Sequence, residues 1–141
     1  LDSGAAVSAC PLDFADDYPT AQSAASLSGV KYQTASGEGV EDEGEVTPVI
    51  FTENGGIRTM PLARCNIHKI LLSAFKVAEA GNRIVLDLRN GSYIEELDSG
   101  DYIPVYAKNG VFVLPFKKVA AKALSALAAR VSGNGGQATL P

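Results

Sequence analysis

Between residues 30 and 116 apolar positions come in short runs separated by turn residues, a spacing that predicts strands rather than long helices. Val30 to Thr34 reads as a strand. Ser36-Gly37-Glu38-Gly39 reads as the turn after it, because glycine admits a positive φ without a Cβ clash. Glu45 to Thr52 alternates and runs into Asn54-Gly55-Gly56, a strong hairpin signal, which makes Ile57 to Cys65 the returning strand. Ile70-Leu71-Leu72 is apolar throughout and predicts a fully buried strand. Ser73 is placed to cap a helix over Ala74 to Ala80, with Leu72, Phe75 and Val77 packing inward and Gly81 at the C′ position. Four strands follow, over Arg83 to Leu88, Ser92 to Glu96, Tyr102 to Ala107 and Val111 to Phe116. Asn90-Gly91, Ser99-Gly100 and Asn109-Gly110 are the tight turns between them. The pattern predicts a compact, mainly β, barrel-like domain.

The flanks differ. Leu1 to Cys10 is small and apolar around an Asp-Ser-Gly turn, and Pro11 to Ser28 is a polar excursion with room for a short helical turn. Lys117 to Val131 is alanine-rich, with Leu124, Leu127 and Val131 on one helical face, and Gly133-Asn134-Gly135-Gly136 stops it. The expected division is therefore a β domain over 1–116 and a helical linker with a glycine-rich tail over 117–141, the linker leading onward or folding back on the domain.

Composition narrows the function. A chain of 141 residues with 46% hydrophobic content has room for one folded domain with a core. No apolar run approaches the ~18 residues of a membrane span, and no basic segment leads into an apolar one as in a signal peptide. The opening at Leu1, without a methionine, is read as a fragment or processed piece. Net charge is −4, with no basic face for nucleic acid. The run Glu38, Glu41, Asp42, Glu43 and Glu45 reads as a solvated hairpin or loop. Cys10 and Cys65 lack zinc-site spacing and His68 cannot complete a metal site, so two buried reduced thiols are expected, with a bridge left open.

The sharpest chemical feature is Leu1-Asp2-Ser3-Gly4-Ala5. Asp-Ser-Gly is ordinary turn material, in which the hydroxyl after the carboxylate can tie the turn down. Gly4 lets the backbone bend without steric cost, and the small residues after it let the next strand pass close. Leu97-Asp98-Ser99-Gly100 repeats the first four letters, but Glu95-Glu96 before it and Asp101-Tyr102 after it remove the apolar setting. It is expected to be a surface β-turn.

Context singles out the first copy. Asp2-Ser3-Gly4-Ala5 followed by Cys10-Pro11 resembles the opening of retropepsin-like aspartic-protease domains of copia-type retrotransposon gag-pol polyproteins. Lys69-Ile70-Leu71-Leu72-Ser73, then Ala80-Gly81-Asn82-Arg83-Ile84-Val85-Leu86-Asp87, is similar to that family's leucine-leucine-serine, short helix, glycine and strand segment. Gly91-Ser92-Tyr93-Ile94-Glu95 and Asn109-Gly110-Val111-Phe112-Val113-Leu114 resemble its closing hairpin strands. Order and spacing agree from Leu1 to about Phe116.

The resemblance implies a closed retropepsin-like barrel, one half-site per monomer, with one short helix and an appended C-terminal helical tail. Asp2 would be the catalytic carboxylate and Ser3, Gly4 and Ala5 its turn. The Thr34 to Gly44 hairpin would be the flap, with Ser36, Gly37, Glu38 and Gly39 at its tip, and Ile70, Leu71 and Leu72 would wall the cleft. It implies an endopeptidase cutting extended segments of its own polyprotein, with no cofactor, no metal and no direct contact with nucleic acid or membrane. The setting would be intracellular, in the cytoplasm or in virus-like particles. Two aspartates must share a proton in this chemistry, so the partner is a second copy of the chain. The family's apolar strand before the aspartate, which would help build the floor of the site and the dimer interface, is cut here to Leu1. A catalytically silent protease-fold module or decayed transposon remnant is the alternative reading.

Overall fold

The computed structural model describes residues 1–133, with side chains placed through residue 129. The fold is mainly β. Twelve strands form in chain order: β1 Ala9–Pro11, β2 Lys31–Gln33, β3 Gly39–Glu41, β4 Glu45–Val46, β5 Val49–Thr52, β6 Ile57–Thr59, β7 Leu62–Cys65, β8 Asn82–Val85, β9 Ser92–Glu96, β10 Tyr102–Lys108, β11 Val111–Val113 and β12 Phe116–Lys118. Helices α1 (Ala24–Leu27), α2 (Ala74–Glu79) and α3 (Leu124–Gly133) and a 3-10 turn at Ala121–Ala123 complete it. The polar excursion thus contributes a second short helix beside α2, with Ser23 and Ser26 closing a capping box at its start. The strands divide into four small sheets, ordered β1-β7-β4, β11-β10-β9-β8, β12-β5-β6 and β2-β3. Only β1 and β7 run parallel among the described pairs.

Three strands expected to be continuous are each broken, and each at a proline. Glu45 to Thr52 splits into β4 and β5 around Thr47-Pro48, and Ile57 to Cys65 splits into β6 and β7 around Met60-Pro61. Val111 to Phe116 splits into β11 and β12 around Leu114-Pro115. Proline has no N–H for a ladder bond, so pairing stops there and the chain changes partner. β4 pairs with β7 and β5 with β6, while Met60 N–H donates to the Pro48 carbonyl across the two breaks at 3.0 Å. Pro104 does not break β10, because it pairs with Tyr93 of β9 where β11 has not yet begun, so its missing N–H lies on an open edge.

Three apolar clusters fill the interior. The largest joins Cys10, Tyr18, Val46, Ile50, Met60 and Leu62, and Ile70, Leu72, Phe116 and Leu124 pack against it. A smaller one holds Ala9, Ala63 and Cys65, and a third holds Ile94, Ile103 and Val105 with Val77 and Ile84 beside them. A fully buried side chain such as Leu62 contributes about 1.5–3 kcal/mol by its removal from water.

Helix α2 lies where the Ser73 cap and Gly81 place it, with Gly81 at φ +95°. Its Phe75 points outward, 61% exposed, while Val77 packs inward against the third cluster. Ile70-Leu71-Leu72 is half-buried and forms isolated bridges rather than a buried strand, because its flanking contacts are to the Asp2 turn and to Ala9. Past Phe116 the chain stays on the β body: β12 pairs with β5, Tyr18 Oη donates to the Val119 carbonyl at 2.7 Å, and Asp17 accepts from both Lys118 and Ala121 N–H. The predicted helix over this segment begins only at Leu124. The side chain of Val131 and the glycine-rich stop from Asn134 onward lie outside the described residues.

Candidate active site

Asp2 sits on a short turn held against the entry to α2. Its N–H donates to the Leu72 carbonyl at 2.8 Å, and its own carbonyl accepts from Ala74 N–H at 3.0 Å, a parallel bridge centred on Ser73. One carboxylate oxygen, Oδ1, accepts the Gly4 N–H at 2.7 Å, folding the side chain back over its turn. A Cβ added at Gly4 would stand 3.3 Å from that oxygen, which explains the glycine better than its backbone freedom does. Among the described residues the other oxygen makes no hydrogen bond to the protein, and no second carboxylate bonds to Asp2. One chain presents one fixed carboxylate.

The hydroxyl that ties the turn is not the one next to Asp2. Ser3 is exposed, and among the described residues its hydroxyl has no hydrogen-bond partner. Ser73 does the work instead: it is wholly buried, its Oγ donates to the Ala5 carbonyl at 2.6 Å and accepts the Lys76 N–H at 3.2 Å. Its N–H donates to Ser8 Oγ at 3.0 Å. One serine therefore caps α2 and pins the Asp2 turn. The sequence marks Ser73 as a cap, but its second bond joins residues 68 positions apart, beyond any local signal. Leu71 and Ala9 exchange backbone bonds, both at 2.9 Å, so the leucine segment runs beside the strand that follows the Asp2 turn.

The hairpin of residues 31–41, β2 and β3, is displaced by three residues from the expected Thr34 to Gly44. Its turn is closed by Thr34 N–H to the Glu38 carbonyl at 2.9 Å, with Gly37 at φ +86°, so Ser36, Gly37, Glu38 and Gly39 do form its exposed tip and the last residue opens β3. The acidic run is solvated except at Asp42, which is buried. Asp42 accepts Tyr32 Oη–H at 2.7 Å and Gly44 N–H at 2.9 Å, clasping the hairpin base. Burial, and then this carboxylate, push the Tyr32 phenol far above its usual range. Tyr32 and Asp42 share with Val7, Ser8 and Leu72 the wall of a cavity of about 740 Å³. Asp2, Ile70, Leu71 and the hairpin tip do not line it.

Asp98-Ser99-Gly100 occupies the exposed turn between β9 and β10, with Leu97 59% exposed and Gly100 at φ +75°. Cys10 and Cys65 are buried free thiols. Among the described residues no cluster of His, Cys, Asp or Glu is arranged to hold a metal, and no helix is long and apolar enough to cross a membrane. No protein-family model matches the chain, and neither a curated protein nor a solved structure matches it.

Proposed function

We propose that the chain is the aspartic-protease domain of a copia-type retrotransposon polyprotein, acting as a homodimer in which each protomer supplies Asp2. The observation that carries this reading is the Asp2 turn itself. Its backbone is fixed on both sides by Leu72 and Ala74, its carboxylate is folded by Gly4, and a buried serine anchors it from beneath. The Asp98 copy is tied only through its neighbours, Leu97 N–H to the Gly81 carbonyl and Gly100 N–H to the Glu96 carbonyl, and among the described residues neither its own backbone nor its carboxylate is bonded.

The chemistry follows from charge. Two carboxylates brought together across a two-fold axis cannot both ionise cheaply, so they hold one proton between them and titrate as a unit. The ionised member takes a proton from a bound water, and the protonated member polarises the scissile carbonyl. The lone Asp2 oxygen without a protein partner is the one available for that exchange. The substrate is an extended peptide from the same polyprotein, and the β2–β3 hairpin is its cover. A closed retropepsin-like barrel and an intracellular setting belong to the same proposal.

The test uses the natural protein, with whatever precedes Leu1. It is expected to sediment as a dimer, to cleave a peptide library at mildly acid pH, and to be inhibited by statine-type transition-state analogues. Asp2→Asn is expected to keep the dimer and abolish cleavage. A folded wild-type dimer that cuts no peptide leaves a protease-fold binding module instead.

A further inference from the structure

The cavity of about 740 Å³ is within the ~300–1,000 Å³ range of small-molecule sites, and Asp2 does not reach it. It opens between the sheet β12-β5-β6 and the sheet β11-β10-β9-β8. Its floor is Ile50, Met60, Ile94 and Ile103, all buried. Set into this apolar floor is one buried cation, Arg58 on β6, 7% exposed. It pairs with Glu96 on β9 and donates to Thr52 Oγ1 at 3.1 Å. A guanidinium carries five N–H groups, and the buried Nε–H has no partner. Gly56 leaves the room for this arrangement, because a Cβ there would overlap the guanidinium. A mainly apolar chamber with a few polar groups set into its wall has the usual form of a ligand site rather than of a packed core.

The charges choose the ligand. Glu96 already balances Arg58, and Lys76 at the rim is paired with Glu79 at 3.1 Å. The remaining charged wall residues, Asp42, Glu45 and Asp98, are acids, so an anion is repelled. We propose that this cavity binds a small, neutral, mainly apolar molecule carrying a hydrogen-bond acceptor such as a carbonyl, and that Arg58 takes that acceptor. Asp2 does not line this cavity, although Leu72 and the Tyr32–Asp42 base of the hairpin do, and the proposal does not depend on the peptidase reading.

Nile red, a neutral apolar dye with a carbonyl, is the probe. Titrated into the natural protein, it is expected to show one saturable site with blue-shifted, enhanced emission. Asp2→Asn is expected to bind it equally. Ile103→Trp fills the floor and is expected to weaken binding at least ten-fold. Ala80→Trp does the same from the exposed mouth, so an unfolded Ile103 variant does not spare the proposal. Replacing Arg58 and Glu96 together by methionine avoids a lone buried charge and is expected to weaken binding several-fold. The proposal is overturned if the wild type shows no saturable site, or if Ala80→Trp binds as the wild type does. It is equally overturned if the anionic dye 8-anilinonaphthalene-1-sulfonate binds more tightly than Nile red.

Discussion

Ser73 joins three parts of the structure through one side chain and one amide. Its hydroxyl serves the α2 cap and the Ala5 carbonyl at once, and its amide is satisfied by Ser8. Ser73→Ala removes a cap and leaves the half-buried Ala5 carbonyl unpaired, so a loss of roughly 1–2 kcal/mol is expected in urea unfolding. Peptidase activity should fall further than stability explains, because the Asp2 turn loses its anchor. Unchanged turnover in a folded Ser73→Ala protein would show the anchor to be idle. The cysteines give a second prediction at this scale. In the parallel β1–β7 pair Cys10 stands opposite Arg64 and Cys65 opposite Pro11, and the two thiols enter different apolar clusters. They face opposite sides of one sheet, so they cannot bridge without a register slip. Burial raises both thiols to about 11. The folded state then holds protons that the unfolded chain releases from about pH 8.5 upward, and stability is lost as pH rises through that window toward 11. Replacing both cysteines by alanine should flatten the stability curve there, with no disulfide found in the oxidised wild type by mass spectrometry. An equally steep curve in the double variant would assign the loss to other groups.

At the scale of elements, the hairpin β2–β3 depends on one clasp. Tyr32 Oη–H to Asp42 joins its two arms inside an apolar wall, where a hydrogen bond to a carboxylate is worth about 1.5–3 kcal/mol. Tyr32→Phe is expected to raise hydrogen exchange across residues 31–41 while leaving β9 and β10 protected, and to raise KM more than it lowers kcat for a peptide substrate. Uniform exchange across both regions would mean the clasp is not local. The hairpin's existence was legible from Ser36-Gly37-Glu38-Gly39, and its tip falls on those residues. Its ends were not, because the acidic run hides that Asp42 alone turns inward, and a buried carboxylate is recognised only by its partners. Strand positions were legible wherever glycine and asparagine mark turns, as at Asn109-Gly110, where both residues take positive φ. Strand continuity was misread at Pro48, Pro61 and Pro115. The apolar character carries through those prolines without a turn signal, while the missing N–H redirects each following strand to a new sheet.

At the scale of the whole molecule, alternation and turns suffice to make the chain mainly β, whereas the partition of strands among four sheets depends on pairings far apart in sequence. Likewise the composition change after Phe116 suggests a boundary that the packing does not respect. Lys117 and Lys118 complete β12 on β5, and Val119 is buried. Tyr18 is fixed at both ends of its hydroxyl, donating to the Val119 carbonyl and accepting from Val49 N–H, and Leu124 packs on the largest cluster. A chain cut after Phe116 loses most of β12 and leaves the Tyr18 hydroxyl without an acceptor for its proton, a cost of about 1–3 kcal/mol before any lost apolar contact is counted. It is therefore expected to unfold at markedly lower urea than the full chain, with a smaller m-value because less surface is buried. A cut after Ala129 leaves all these contacts in place and should unfold at nearly the same midpoint as the full chain. If the two cuts behave alike, the segment after Phe116 is a passenger; if only the first destabilises, the folded unit extends into α3, and Asp2 is supported by a body larger than residues 1–116.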